Sequence, residues 1–149
     1  MTRHSGRLGI AAALMLAATP ASAEDFEAQL DPAPFDATTR ADILGSIGNV
    51  TATLSGSTLT VSGNFQDMTS PATGASVRIG LAKGVVGDAV GPLTATRAPQ
   101  GTVSGSVQLN AQQLEALERQ AIYVRIDSEK APEGNLQGWL EPQEKSKGK

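Results

Sequence analysis

Ile122-Tyr123-Val124-Arg125-Ile126-Asp127-Ser128 alternates between two kinds of side chain without a break. Ile122, Val124 and Ile126 form one row, and Tyr123, Arg125 and Asp127 form the other. Successive side chains leave a pleated strand on opposite faces, so this period of two predicts a strand with one face against a core. After a turn containing Pro132 and Gly134, Leu136-Gln137-Gly138-Trp139-Leu140 predicts a closing strand that places Trp139 beside it.

The same alternation recurs upstream. Phe26, Ala28 and Leu30 share a face, then Val50, Ala52 and Leu54, then Leu59, Val61 and Phe65. Gly63 interrupts the last row and reads as a bulge or a point of close approach. Ser55-Gly56-Ser57 reads as a tight hairpin turn. Val77, Ile79 and Leu81 form a further row, and Val103, Val107 and Leu109 another. One segment breaks the pattern: Asn110 is a helix cap, and Ala111 to Arg119 are good helix formers with Leu114 and Leu117 on one side. About seven short strands and one short helix predict an all-β fold of two packed antiparallel sheets.

Residues 1–23 read as a secretory leader. Arg3 and Arg7 precede the apolar run Leu8–Ala18, and Ala21-Ser22-Ala23 is a cleavage signature. The product is expected in the periplasm or outside the cell, with a folded domain over 24–141 and a disordered polar tail over 142–149. All 15 acidic residues follow the cleavage point, whereas Arg3 and Arg7 are lost from the 12 basic ones, so the net charge moves from −3 to −5. An acidic chain without a basic block is not expected to bind nucleic acid, which needs several phosphates neutralised together. No later run reaches the roughly 18 apolar residues of a membrane span, so no insertion is expected. With no cysteine there are no disulfides.

The single histidine, His4, lies in the leader. The processed chain therefore lacks both His and Cys, which removes the usual ligands of zinc, copper and non-haem iron and every Ser-His-Asp or Cys-His arrangement. No catalytic residue, cofactor or transition metal is expected. Two chemistries stay open: a pair of carboxylates across a cleft, as in a glycan hydrolase, and a weak calcium site at Asp127, Glu129 and Glu133. Tyr123, Arg125 and Trp139, with Arg78, are candidates for a partner-binding face, since Trp, Tyr and Arg dominate protein–protein hot spots. Against that stands a structural reading, in which the aromatics cover one end of the core and Arg125 pairs with Asp127 or Glu129. Gly84 and Gly87 lack the Lys-Ser/Thr and helix start of a phosphate cradle and read as a turn.

The order of these segments resembles the CHRD domain, a module named after chordin and also found singly in exported bacterial proteins. Phe26-Glu-Ala-Gln-Leu resembles its opening strand, Gly48-Asn-Val-Thr-Ala-Thr-Leu its second strand, Gly84-Val-Val-Gly-Asp-Ala-Val its glycine-rich turn, and Leu109-Asn-Ala-Gln-Gln-Leu-Glu-Ala-Leu its short helix. The stretch from Ile122 to Leu140 is similar to its closing pattern of tyrosine strand, Pro-x-Gly turn and Gly-x-x-x-Gly strand. The resemblance implies a Greek-key-like β-sandwich and, for most bacterial members, no established activity. The chain also departs from the family. Val77 and Ile79 fall where a His-x-His pair is usual, Asp127 where a third His is usual, and Ser128 at the usual Thr. Asn135 and Gln137 replace the usual Glu and Arg.

These readings converge on a non-enzymatic exported binding or scaffolding module whose partner is another exported protein. One form of it is an accessory subunit of a periplasmic enzyme such as an oxidoreductase. The alternatives are a small-ligand or calcium-binding domain, or a hydrolase using carboxylates alone.

Overall fold

In a computed structural model, which describes residues 23–144, the chain runs through nine strands and two short helices. They are β1 (Glu24–Pro32), α1 (Arg40–Ile43), β2 (Ile47–Ser55), β3 (Thr58–Gln66), β4 (Ala72–Ile79), β5 (Asp88–Ala95), β6 (Gly101–Gln108), α2 (Ala111–Glu118), β7 (Ile122–Ser128), β8 (Leu136–Trp139) and β9 (Glu141–Pro142). Residues 1–22 of the expected leader and 145–149 of the expected tail lie outside the described residues.

Eight strands close on themselves. In the order β1-β2-β3-β6-β5-β4-β7-β8 and back to β1, each is antiparallel to both neighbours. The all-β class and the crossed, Greek-key-like connections are as expected, but the architecture is a barrel and not a sandwich, and it has two short helices instead of one. The reason lies in two strands that belong to both sheets. β1 pairs with β2 through Glu24–Leu30 and with β8 at Asp31–Pro32. β5 pairs with β4 through Asp88–Leu93 and with β6 at Thr94–Ala95. Strands that switch sheets turn two layers into one closed surface.

Such corners need inward positions without side chains. At Gly138 a Cβ would overlap the Gln29 carbonyl oxygen, and at Gly63 the Asn49 carbonyl oxygen. Gly63 is thus a close approach, not a bulge, and its register with Val50 is regular. β9 keeps the β8 register along β1, with Glu141 opposite Glu27 and Pro142 opposite Phe26. The Gln143 amide then donates to the Asp25 carbonyl at 2.9 Å.

The barrel interior is one cluster built from the inward rows, including Leu30, Leu59, Val61, Val77, Val103, Ile122, Ile126 and Leu136. Leu81, expected in such a row, is instead 88 % exposed, because β4 ends at Ile79 and the chain turns at Gly80. α2 closes one end. The Asn110 side chain accepts from the Gln113 amide at 2.8 Å and Gln113 returns the bond at 2.9 Å, while Ala116 and Leu117 are buried. None of the described helices is long and apolar enough to cross a membrane.

The segment 33–46 crosses the other end. Its Asp36 carboxylate accepts from the Thr38 hydroxyl at 2.6 Å and from the Thr38 and Thr39 amides, which holds its pKa down at about 2. A lowered carboxylate stabilises the fold above its unfolded value of 3.8 and ceases to do so as pH falls through about 2. Asp36→Asn, which cannot ionise, is expected to flatten the acid limb of the melting-temperature profile between those values. Differential scanning calorimetry against pH checks this.

Candidate functional site

On the outer face, strand register places Arg78, Tyr123 and Trp139 in one row across β4, β7 and β8. The Tyr123 and Trp139 rings stack with centroids 4.8 Å apart. Tyr123 does not reach solvent at all: it is 0 % exposed, because the β4–β5 loop, Gly80–Gly87, folds back over it. Its hydroxyl accepts from the Gly87 amide at 2.8 Å and donates to the Gly87 carbonyl at 3.1 Å. Arg78 Nε lies 3.1 Å from the same carbonyl and 3.3 Å from the tyrosine oxygen. Lys83 of the loop pairs with Glu141 of β9. Tyr123 is therefore corrected from a partner contact to a buried post. Arg78 joins it in holding the loop, whereas Trp139 and Arg125 each line one of two open grooves.

Tyr123→Phe removes three hydrogen bonds from under the loop while keeping the ring stack. We expect a loss of about 1–2 kcal/mol in urea unfolding. Hydrogen exchange at the Gly87 amide should be faster, with little change in the strands.

Arg125 and Asp127 pair along β7, Nε to Oδ1 at 2.8 Å, both half-buried. This matches the structural reading of that pair. Asp127 is thereby engaged, Glu129 and Glu133 are exposed, and among the described residues no three His, Cys, Asp or Glu side chains come together in a set able to hold a metal ion. The calcium candidate is not assembled.

The pinned loop separates two grooves. The first, of about 880 Å³, runs over β8, β1, β2 and β3 and is lined by Trp139, Gln29, Asn49 and Lys83 among others. The second, of about 580 Å³, lies between Phe35, Val86, Arg125 and the turn Lys130–Gly134. Gln137 lines both. The loop itself is apolar outside: Leu81, Val86 and Val85 are 88, 60 and 42 % exposed, and Phe35 faces the groove that Val86 also lines.

A family model for the CHRD domain matches residues 26–140. The chain belongs to the CHRD family. No curated protein and no solved structure gives a significant match. In this CHRD domain Val77, at a usual histidine position, is fully buried opposite Val124 in the barrel interior, and Ile79 packs against the same core. Arg78 between them faces outward, so the aliphatic pair is in register with the core. Asn135, at the usual Glu, has become the centre of a buried network. Its Oδ1 accepts from the Ser128 hydroxyl at 2.7 Å, and its Nδ2 donates to Ser46 Oγ at 2.9 Å.

Proposed function

We propose that this CHRD domain is a non-enzymatic, exported binding module that docks another exported protein through the Gly80–Gly87 loop and the groove between Val86 and Phe35. One observation carries the reading. The loop is fastened from beneath by Tyr123, Arg78 and Lys83, yet shows three aliphatic side chains to solvent. A fixed apolar patch with a polar surround is the form of a protein-interaction site, because little ordering entropy is left to lose on binding. The leader-like start of the chain and the absence of His and Cys after it support export and a role without acid–base or metal chemistry. The first partner class to try is an exported enzyme, including an oxidoreductase.

Photo-crosslinkers placed at Leu81 and Val86 in cells should trap one defined partner. Leu81→Asp and Val86→Asp should abolish recovery of that partner by the purified domain without lowering its melting temperature, because both side chains are already exposed. Trapping no defined protein, or equal recovery by the two aspartate variants, would sink the proposal.

A further inference from the structure

We infer that the first groove is a binding site for a neutral, hydroxyl-rich chain, an oligosaccharide. Its floor is the outward face of four adjacent strands. Gln29 on β1 lies opposite Asn49 on β2, which lies opposite Asn64 on β3. Trp139 continues that row on β8. In the adjacent row Gln137 lies opposite Asp31, with Gln66 on the far side of the groove.

The chemistry of this surface selects its ligand by elimination. Each strand from β1 to β8 is already paired on both sides, so a peptide cannot join by adding a strand. Glu27, Asp31 and Glu141 outnumber Lys83, which disfavours phosphate, nucleic acid and acidic polymers. Trp139 and Ile47 are the large apolar side chains of the lining, too few for a lipid or an apolar helix. What the groove does offer is carboxamides in cross-strand rows about 5 Å apart. Each presents a donor and an acceptor in one plane, the match for neighbouring sugar hydroxyls. Gln29 uses its amide on Asp31 at 3.0 Å, whereas Asn49, Asn64, Gln66 and Gln137 make no side-chain hydrogen bond among the described residues. The Trp139 indole supplies the apolar surface that sugar C–H groups pack on. Its other ring face is taken by the stack on Tyr123, which fixes the plane that the indole offers to the groove.

This site adjoins the docking surface proposed above, with Lys83 and Gln137 bordering both, but the tests use different residues and readouts. Trp139 is the only tryptophan of the chain, so its fluorescence reports the groove directly. The processed domain is titrated with cello-, xylo-, malto- and chito-oligosaccharides at millimolar concentration, with 15N–1H spectra recorded alongside. One series should quench or shift the tryptophan emission and move the amides of Gln29, Asn49, Asn64 and Trp139 together. Asn49→Ala combined with Asn64→Ala should weaken binding about tenfold with the melting temperature unchanged, while Leu81→Asp should have no effect. Absence of any response to all four series, shifts mapping away from the groove, or unchanged affinity in the double variant overturns the inference. Cleavage of a bound oligosaccharide would uphold the sugar site and overturn the non-enzymatic reading.

Discussion

Gly138→Ala is expected to leave the barrel unable to close, with most of the protein insoluble and the remainder destabilised by more than about 4 kcal/mol. Gly138 sits inward on β8, where β1 passes from one sheet to the other. An added Cβ would overlap the Gln29 carbonyl oxygen, and would also come within 3.0 Å of its carbon and 3.1 Å of Leu30 Cδ2. Two of these neighbours are backbone of the strand that β8 must pair with, so no rotamer change relieves the clash. β1 and β8 would have to separate, which exposes the edges of two strands and the Leu30 and Leu136 side chains between them. A domain stable by roughly 5–15 kcal/mol does not absorb this. Gly74→Ala supplies the control: Gly74 is also a strand glycine, but a Cβ there meets nothing within 4 Å. That variant should fold normally, with stability equal to or up to about 1 kcal/mol above the parent. Soluble yield, circular dichroism and urea midpoints of the two variants decide the matter. Similar behaviour of both would refute the corner role of Gly138.

The strands were legible because their chemistry is local. Phe26/Ala28/Leu30 and Ile122/Val124/Ile126 point inward as their period of two requires, and the Asn110–Gln113 cap is in place. Closure was not legible. Alternation reports which face of a strand is buried, and a sandwich and a barrel bury the same faces. The information sits in the inward glycines at 63 and 138, whose meaning depends on which carbonyl of another strand lies opposite. Tyr123 failed as a surface residue for a related reason. Its strand parity is outward, as expected, but parity is blind to a loop folding back over the sheet. The glycines at 80, 84 and 87 mark that loop; only the tertiary contact to Gly87 shows where it lands. The amide row of the first groove was hidden in the same way, since Gln29, Asn49 and Asn64 come from three strands and meet only through register.

Asn135→Leu is the second substitution with a large expected effect, a loss of about 3 kcal/mol and a fall in melting temperature of about 12 °C. Asn135 is 0 % exposed and ties three segments together at the end of the barrel opposite α2. The Ser128 hydroxyl donates to its Oδ1 at 2.7 Å, and Ser128 Oγ accepts from the Ala131 amide at 3.1 Å. Its Nδ2 donates to Ser46 Oγ at 2.9 Å, and that hydroxyl donates to the Ile43 carbonyl at 2.8 Å. Leucine keeps asparagine's branched arrangement of four side-chain heavy atoms, so the cost is polar more than steric. The Ser128 hydroxyl loses its acceptor and Ser46 Oγ loses its donor, and both serines are buried. Leaving buried polar groups unpaired costs more than the hydrogen bonds contribute when made. The physical claim can be isolated with a cycle. Ser46→Ala alone should cost about 1 kcal/mol, but clearly less in the Asn135→Leu background, because the bond from Asn135 has already gone and only the one to the Ile43 carbonyl is left to lose. Additive losses in calorimetry would show that Asn135 and Ser46 are not coupled.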